Sequence, residues 1–377
     1  MKIKDKSLAL FLTTRGKSLG NLESLGMLAR EIKPYQELAK DFKRIIIFSY
    51  GTNDRIYKNL FPSNVGIIDR PRFIPVVLYS FLMPIIRGRF LQEIDIFKTN
   101  QMDGSWPAVI AKKLFNKKLV VRCGYEWFQF IKTAKRSWWK RSFAYCAEKF
   151  AYGNADKIII TSEEDKEFII ENFKISPEKI IVNPNYVDTE KFKPLPVEKA
   201  DKRILFVGRF ETQKNLFTLF EAMKGVEAEL VLIGKGSQET ELKKYAKENN
   251  IRTLWLGTVS QDNLPMELNK SDIFVLPSLY EGNPKVLLEA MSCGIACVGT
   301  NVKGIREIIE DGHDGLLAEP SPESLRERVL MLLENQELRD KLGANARTKI
   351  LEEYSLSIIL KKELGVYQSL LHHENNI

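Results

Sequence analysis

A strand, a turn and a helix follow one another in residues 272–294, and this segment constrains the fold more than any other. Ile273–Leu276 is a short apolar run, typical of a strand buried on both faces. Pro284 suits the first position of a helix, because its fixed φ and missing N–H cost nothing there, and Gly294 is placed to end that helix. The segment therefore predicts an open parallel α/β sheet, in which ligands bind at the carboxyl ends of the strands.

The same alternation of short apolar strands and helical stretches occurs in two series. Strands of the first series are predicted at 8–13, 44–50, 94–99, 119–122, 157–161 and 179–183, with helices such as 105–115 and 163–173. Strands of the second series are predicted at 203–207, 229–233, 253–256, 273–276, 296–299 and 315–318. Helices of the second series are expected at 216–223, 239–249, 263–269, 286–293, 305–310, 324–334, 338–353 and 358–371. This order predicts βαβ units and mainly parallel sheets.

A stretch rich in proline and charge, residues 188–203, separates the two series and is interpreted as a linker. A chain of 377 residues is also too long for one ordinary core. We therefore predict two Rossmann-like α/β domains, at residues 1–190 and 200–354. A C-terminal helical segment, residues 355–377, is expected to cross back onto the first domain.

Charge is distributed unevenly along the chain. Residues 1–150 contain 28 Lys and Arg against 12 Asp and Glu, whereas the remainder contains 29 against 37. A basic domain indicates an anionic partner, either a membrane surface or a polyanion. Residues 131–151 interleave basic side chains with Trp138, Trp139 and Phe143, which suits an anionic membrane interface. The same pattern also fits nucleic-acid binding or a core helix with a solvated basic face.

The longest apolar stretch, residues 73–86, is shorter than the ~20 residues that span a bilayer. It also contains Pro75 and Pro84, so we predict a buried or interfacial helix there. The apolar run at residues 8–12 is too short for the core of a signal peptide and is interpreted as the first strand.

A cationic turn follows the first strand of the second series. Gly208 allows a tight turn, and Arg209 and Lys214 then lie beside a helix start at the carboxyl edge of the sheet. A guanidinium fork and a mobile ammonium are suited to hold a pyrophosphate, although two solvated surface cations would have the same sequence. Glu281 and Glu289 flank the start of a later helix, whose N–H groups attract phosphate. Because phosphate repels a carboxylate, both glutamates are interpreted as acceptors for the hydroxyls of a sugar and a ribose.

Two further turns of the second domain bear on the ligand. Gly257 and Val259 lie at the end of a strand, where an exposed backbone edge could contact a nucleobase. The turn Gly234-Lys235-Gly236 lacks the third glycine of a dinucleotide fingerprint, which argues against a dehydrogenase.

The first domain contains two candidate turns. Gly16, between basic residues, could close over a phosphate, or it belongs to an ordinary loop. Glu126, between Tyr125 and Trp127, could accept sugar hydroxyls or a proton, or it belongs to a structural turn. The chain contains no Asp-x-Asp motif and the first domain no histidine. A metal-bridged pyrophosphate and a Ser-His-Asp site are therefore not expected.

Together these features resemble the retaining GT-B glycosyltransferases of the GT4 family. The matching segments are Gly208-Arg209-Phe210 with Lys214-Asn215, Leu276-Pro277-Ser278 with Glu281-Gly282, Glu281-x7-Glu289 followed by Ala290-Met291-Ser292-Cys293-Gly294, Gly304-Ile305-Arg306-Glu307, and Asp311-Gly312-His313-Asp314-Gly315. The resemblance covers residues 180–350, where order and spacing are both kept. The first domain departs from it, because the histidine that many relatives carry there is absent.

The resemblance implies two Rossmann-like domains facing across a cleft, with a UDP-, GDP- or ADP-sugar donor bound by the second. Arg209 and Lys214 would hold the diphosphate and offset charge on the departing nucleotide, and Glu289 would take the ribose hydroxyls. The donor sugar and β-phosphate would be held by Glu281 and by the backbone of the residues that follow it, Gly282, Asn283, Pro284, Lys285 and Val286. Such enzymes retain the anomeric configuration and need neither a metal nor another cofactor.

We therefore expect a metal-independent retaining hexosyltransferase that acts on a lipid-linked saccharide or another surface-glycan precursor. It would be cytoplasmic and peripheral on the inner face of the cell membrane, with an anionic membrane surface and no nucleic acid as partner. One alternative is a nucleotide-sugar 2-epimerase of related fold, whose cleft histidines are missing here. Another is a non-catalytic protein that binds a polyanion or membrane, against which the intact Arg209, Lys214, Glu281 and Glu289 argue.

Overall fold

The computed structural model describes residues 3–12, 18–102, 105–124, 126–133, 137–198 and 202–372. The chain divides into two compact units, Met1–Asn183 with Leu360–Ile377, and Pro184–Ile359. Each unit contains one parallel sheet with helices between its strands, so the predicted α/β fold class is confirmed. Within the described ranges, no helix combines the length and the apolar character that crossing a membrane requires.

The first unit is built on seven parallel strands in the order β3-β2-β1-β4-β5-β6-β7. The strands are β1 (Ser7–Phe11), β2 (Arg44–Phe48), β3 (Val65–Ile68), β4 (Ile96–Thr99), β5 (Lys118–Arg122), β6 (Lys157–Ile160) and β7 (Ile180–Val182). Their apolar runs are largely buried, as strands covered on both faces require. The sequence predicts six of them and misses β3, because four residues that include Gly66 form too short a pattern.

The helices of the first unit connect these strands and cover the sheet. They are α1 (Leu19–Ser24), α2 (Leu28–Leu38), α3 (Val76–Ile86), α4 (Gly88–Gln92), α5 (Trp106–Phe115), α6 (Trp127–Thr133), α7 (Trp138–Asn154) and α8 (Glu163–Phe173). The apolar stretch at 73–86 forms α3, which keeps Pro84 inside it. Tyr79 and Met83 on this helix are buried, while several of its other apolar side chains are exposed.

The second unit is built on six parallel strands in the order β10-β9-β8-β11-β12-β13. The strands are β8 (Arg203–Val207), β9 (Glu229–Ile233), β10 (Thr253–Gly257), β11 (Ile273–Leu276), β12 (Ala296–Thr300) and β13 (Leu316–Ala318). All six are predicted by the sequence. Because β8 pairs with both β9 and β11, the strand order reverses at the β8–β11 pair. Such a reversal opens a crevice for ligands beyond the carboxyl ends of the strands.

The helices of the second unit begin and end close to the predicted positions. They are α9 (Leu216–Ala222), α10 (Glu239–Glu248), α11 (Leu264–Asn269), α12 (Lys285–Ser292), α13 (Pro322–Glu334) and α14 (Gln336–Lys349), followed by a π-helical turn (Ile350–Tyr354) and by α15 (Leu356–His372), which continues into the first unit. The predicted helix at 305–310 is wrong: residues 305–308 form turns and residues 309–310 have no regular structure. Gly304 and Gly312 flank the segment with left-handed φ angles, which a right-handed helix does not include. Pro284 precedes α12 as its cap instead of occupying the first helical position.

A buried ion pair ties α15 to the first unit. Glu363, on the part of α15 that belongs to this unit, accepts hydrogen bonds from Lys98 Nζ on β4 and from Tyr367 Oη. The Lys98 ammonium also lies 5.0 Å from the centre of the Tyr35 ring. Both charged side chains are buried. Removal of one partner would therefore leave an uncompensated charge in the core.

Glu363→Ala should destabilise the first unit by about 3–5 kcal/mol, because the Lys98 ammonium stays buried without its partner. Urea unfolding followed by tryptophan fluorescence measures this change. Glu93→Ala, which removes the partner of Arg44 at an exposed position, is the matched control and should cost less than ~1 kcal/mol. Equal losses in the two variants would contradict the role assigned to Glu363.

Candidate active site

The carboxyl ends of β8 and β11 bring the predicted cationic turn and the first glutamate together. Glu281 Oε1 accepts hydrogen bonds from Lys214 Nζ and from Ser278 Oγ, the latter at 2.7 Å. The side chains of Lys214 and Glu281 are only 12% and 9% exposed, whereas Arg209 is exposed at the same edge. One cation of the turn is therefore held by a carboxylate, and the other faces solvent.

Backbone contacts fix the loops after β8 and β11 against each other. Leu279 N donates to Gln213 O at 2.9 Å. Gln213 Nε2 donates to Tyr280 O, also at 2.9 Å. Because Gln213 and Lys214 are adjacent in sequence, these contacts help to hold the Lys214 ammonium beside Glu281.

The start of α12 belongs to the same loop. Asn283 is buried and anchored by Asn185: its Oδ1 accepts from Asn185 N at 2.9 Å, and its backbone O accepts from Asn185 Nδ2 at 2.7 Å. Glu289 is buried in α12, four residues after Lys285 and so on the same face of the helix. One loop–helix segment thus carries both predicted glutamates, of which Glu289 is the more deeply buried.

Three glycines at successive strand ends pack backbone against backbone. Gly234, after β9, has a φ of +139°, and a Cβ added to it would lie 1.8 Å from Gly208 O. Gly234 N donates to Gly257 O at 2.7 Å. A larger residue at position 234 would force these turns apart. Val259, predicted to lie near a nucleobase together with Gly257, is partly buried against the core of the unit.

The loop after β12 supports the Glu281–Gly282 turn through a second close approach. Gly304 has a φ of +78°, and a Cβ added to it would lie 1.8 Å from Gly282 O. This contact leaves no room for a side chain at position 304, so Gly304 helps to position the residues that follow Glu281.

Gly304→Ala should destabilise the second unit more than Gly312→Ala. Both glycines have left-handed φ angles, but a Cβ at Gly312 would meet nothing within 4 Å. Each variant pays about 1–2 kcal/mol for the backbone conformation, and Gly304→Ala adds about 1–3 kcal/mol of overpacking. Chemical denaturation of the two variants measures the difference. Equal stability would show that Gly282 moves away without cost.

In the first unit, the predicted phosphate turn contains Gly16, which lies outside the described residues. At the described end of this turn, the start of α1 is in contact with a carboxylate of the protein itself. Asp54, which is buried, accepts from Leu19 N at 2.7 Å and from Gly20 N at 3.2 Å. A phosphate bound at this helix start would need the same N–H groups. They already donate to the Asp54 carboxylate. A contact between Gly16 and a phosphate stays a prediction.

The structure places Glu126 in the interior of the first unit. Its carboxylate oxygens accept from Tyr152 Oη at 2.8 and 3.0 Å. The neighbouring Glu148 accepts from Trp127 N at 2.8 Å and from Phe128 N at 3.2 Å. Burial, together with the Glu126 carboxylate, raises the pKa of Glu148 to about 9. These contacts join α6 to α7 and favour the structural interpretation of Glu126, whose role toward a sugar or a proton stays a prediction.

Glu148→Gln should flatten the pH dependence of stability. The pKa of Glu148 is raised to about 9 in the folded protein. Protonated Glu148 therefore contributes fully to the free energy of unfolding only below the ordinary pKa of a glutamate, and this contribution is lost as the pH rises toward the raised pKa. Glutamine does not ionise and keeps an oxygen acceptor for Trp127 N. Melting temperatures measured between about pH 5 and pH 9 should therefore fall less steeply in this variant than in the wild type. The exposed Glu167→Gln on α8 is the control, and parallel curves for all three proteins would contradict the assignment.

Among the described residues, Glu310, His313 and Asp314 form a group whose possible ligand atoms lie within 4.8 Å of one another. Asp314 is buried and accepts from Lys349 Nζ and from Glu310 N, both at 2.8 Å. Through these contacts the group anchors the loop that precedes β13. We assign no metal to it.

Two family profiles match the chain, one for each half. Residues 187–349 match Glycosyl transferases group 1, and residues 35–191 match Glycosyltransferase Family 4. Each half of the chain is therefore similar to a glycosyltransferase domain. The predicted glycosyltransferase assignment is thereby confirmed at the level of the family and the GT-B fold, and neither the epimerase nor the non-catalytic alternative is favoured.

Individual relatives agree with these matches. An uncharacterised glycosyltransferase of Methanocaldococcus jannaschii is 36% identical over 202 residues, 53% of this chain and 56% of that protein. The UDP-Gal:α-D-GlcNAc-diphosphoundecaprenol α-1,3-galactosyltransferase of Escherichia coli is 32% identical over 229 residues, 55% of this chain and 59% of that protein. The chain thus spans little more than half the length of these curated relatives. The crystal structure of Anabaena HepE in complex with UDP shares the fold, with a TM-score of 0.77 and 18% identity over 97% of this chain and 100% of that one.

Sequence reasoning did not assign a role to three residues that position the site. Ser278 carries a usable signal, because a small hydroxyl residue directly follows the buried strand β11. Gln213 and Asn185 donate hydrogen bonds to residues that are 67 and 98 positions away in sequence. Nothing in the local sequence pattern indicates such long-range contacts.

Proposed function

We propose that this protein is a metal-independent retaining glycosyltransferase that moves a hexose from a nucleoside-diphosphate sugar to a lipid-linked saccharide or a similar surface-glycan precursor. The observation that carries the proposal is the cluster of Lys214, Ser278 and Glu281, with Arg209 at the same edge, at the strand reversal of a group 1 glycosyltransferase domain. This cluster offers cations and a carboxylate acceptor where the fold opens its ligand crevice.

The proposed chemistry assigns the cations to the leaving group. As the bond between the anomeric carbon and the β-phosphate oxygen breaks, negative charge grows on the departing nucleotide, and Arg209 and Lys214 stabilise it. The acceptor oxygen forms the new bond on the same face of the sugar, and its proton leaves with the departing phosphate. No metal step is included, because the sequence contains no Asp-x-Asp motif.

The remaining predicted residues orient the donor. Glu281 accepts from hydroxyls of the sugar, and Glu289 accepts from the ribose. The backbone at the start of α12, from Gly282 through Asn283, Pro284 and Lys285 to Val286, lies against the sugar and the β-phosphate, where helix N–H groups favour an anion. Gly208, Gly257 and Val259 border the nucleotide. The anchoring of Asn283 by Asn185 supports this part of the proposal, because a preordered loop loses less entropy on binding.

The proposed donor and acceptor follow from likeness to two other proteins. The HepE protein was crystallised in complex with UDP, and the name of the Escherichia coli relative specifies a UDP-sugar and a diphosphoundecaprenol acceptor. By this likeness we propose UDP among the three candidate nucleotides and a polyprenyl-diphosphate-linked saccharide as acceptor.

We place the protein on the inner face of the cell membrane, as a cytoplasmic, peripheral protein. The excess of basic residues in the first 150 positions supports contact with anionic lipid. A lipid-linked acceptor would also be presented at that surface.

Arg209→Ala and Lys214→Ala should each lower kcat for sugar transfer by about 10²–10³, since each removes a cation that stabilises the leaving group. Release of nucleotide from UDP-, GDP- and ADP-hexoses, with a polyprenyl-diphosphate saccharide present, measures the rate. Lys224→Ala is the matched control, because Lys224 pairs with Glu221 at the end of α9, away from the strand reversal, and should leave kcat unchanged. Wild-type rates in both site variants would contradict the roles proposed for Arg209 and Lys214.

Heat stabilisation by UDP, GDP and ADP tests the donor independently of the acceptor. Binding at a concentration of 100 times Kd should stabilise the folded protein by about 2.7 kcal/mol. Isomerisation of the sugar without an acceptor would favour the 2-epimerase. Absence of any nucleotide effect would favour a non-catalytic protein.

A further inference from the structure

The first unit exposes a large apolar surface on α3. Phe73, just before the helix, and Val77 and Ile85 within it are 86%, 73% and 69% exposed. The opposite side of α3 is apolar as well, since Tyr79 and Met83 are buried. A helix that is apolar all round is normally buried, and a contiguous exposed apolar patch indicates a surface that contacts something else.

Two neighbouring helices extend this surface. The Phe81 ring on α3 stacks on the Trp106 ring of α5, with centroids 6.0 Å apart. Lys113 Nζ on α5 lies 5.2 Å from the centre of the Phe150 ring of α7. We name the exposed side chains of α3, α5 and α7 the three-helix face.

Trp138 and Trp139, at the start of α7, enlarge the apolar area of the three-helix face. They are 78% and 57% exposed. Tryptophans are enriched where acyl chains meet the polar headgroups of a bilayer, because one part of the ring system is apolar and the indole N–H is polar.

The three-helix face carries positive charge and no exposed carboxylate. Glu148 is the one acidic residue in the described ranges 70–92, 105–124 and 137–154, and it is buried. Exposed cations are spread over the same helices and the turns that flank them: Arg72, Arg89, Lys113, Lys140, Arg141 and Lys149. The partner of this surface must therefore be both apolar and anionic.

We infer that the three-helix face docks onto an anionic lipid membrane, with α3 lying in the interfacial plane and its apolar side chains among the acyl chains. α3 has 11 residues, about half of the ~20 that span a bilayer, so it enters one leaflet without crossing. Cations beside exposed apolar and tryptophan side chains match acidic headgroups above acyl chains. A second copy of the chain fits less well, because two such faces would oppose like charges.

The inferred docking surface specifies which part of the protein would contact the membrane at the proposed location. It rests on the proposed function only because a lipid-linked acceptor requires membrane contact. Its structural support is independent of the donor site in the second unit. Lipid binding and nucleotide binding can therefore fail separately.

Flotation of the full-length protein with vesicles tests the inference. One vesicle set is phosphatidylcholine alone, and the other contains phosphatidylglycerol as well. The test variant Val77→Glu/Ile85→Glu places charges in the apolar part of the face. The control Met331→Glu/Leu351→Glu changes two exposed apolar residues of the second unit. Heat stabilisation by UDP without vesicles, measured for every protein, reports on folding and on the donor site.

The wild type and the control should float with anionic vesicles, and their binding should fall at high salt and with neutral vesicles. Val77→Glu/Ile85→Glu should reduce the bound fraction by roughly tenfold or more, while its response to UDP equals that of the wild type. A wild type that does not float, or a test variant that floats equally well, would overturn the inference. So would self-association in sedimentation that the test variant abolishes without any lipid binding. Flotation without a response to UDP would keep the docking surface and reject the donor proposal.

Discussion

The parallel pairing of β8 with β11 is the constraint on which the candidate site depends. Because the strand order reverses there, the turns that follow the two strands lie side by side. Lys214 and Glu281, 67 residues apart in sequence, consequently form an ion pair. Hydrogen bonds between the same two loops hold this pair in place. The distribution of charge in the site is therefore set by the topology of the sheet as much as by the side chains themselves.

Close backbone packing gives this edge of the sheet its shape. Gly234 lies against Gly208, and Gly304 lies against Gly282, so loops from four strand ends pack in two pairs, backbone against backbone. Such contacts restrict how far each loop can move. The backbone of this site is therefore held in place by close packing. Of its two cations, the exposed Arg209 has more freedom to change conformation than Lys214.

Much of the fold could be predicted, because strands buried on both faces have continuous apolar runs that are easy to recognise. The exceptions have physical reasons: β3 is short and contains Gly66, and residues 305–310 lie between two glycines with left-handed φ angles. In the site, Lys214 and Glu281 were predictable from residue type and position at strand ends. Their direct contact and the support from Gln213 and Asn185 were not, since both depend on register between distant segments. The burial of Glu126 against Tyr152 likewise depends on how α6 packs on α7.

The carboxylate of Asp54 at the start of α1 has a further consequence. Two sheets of similar topology could in principle each offer a helix start that binds an anion. In this chain one helix start is neutralised from within, whereas the edge of the other sheet presents cations. The two halves are therefore chemically unequal despite their similar architecture: an anion at the start of α1 would have to displace a carboxylate of the protein itself.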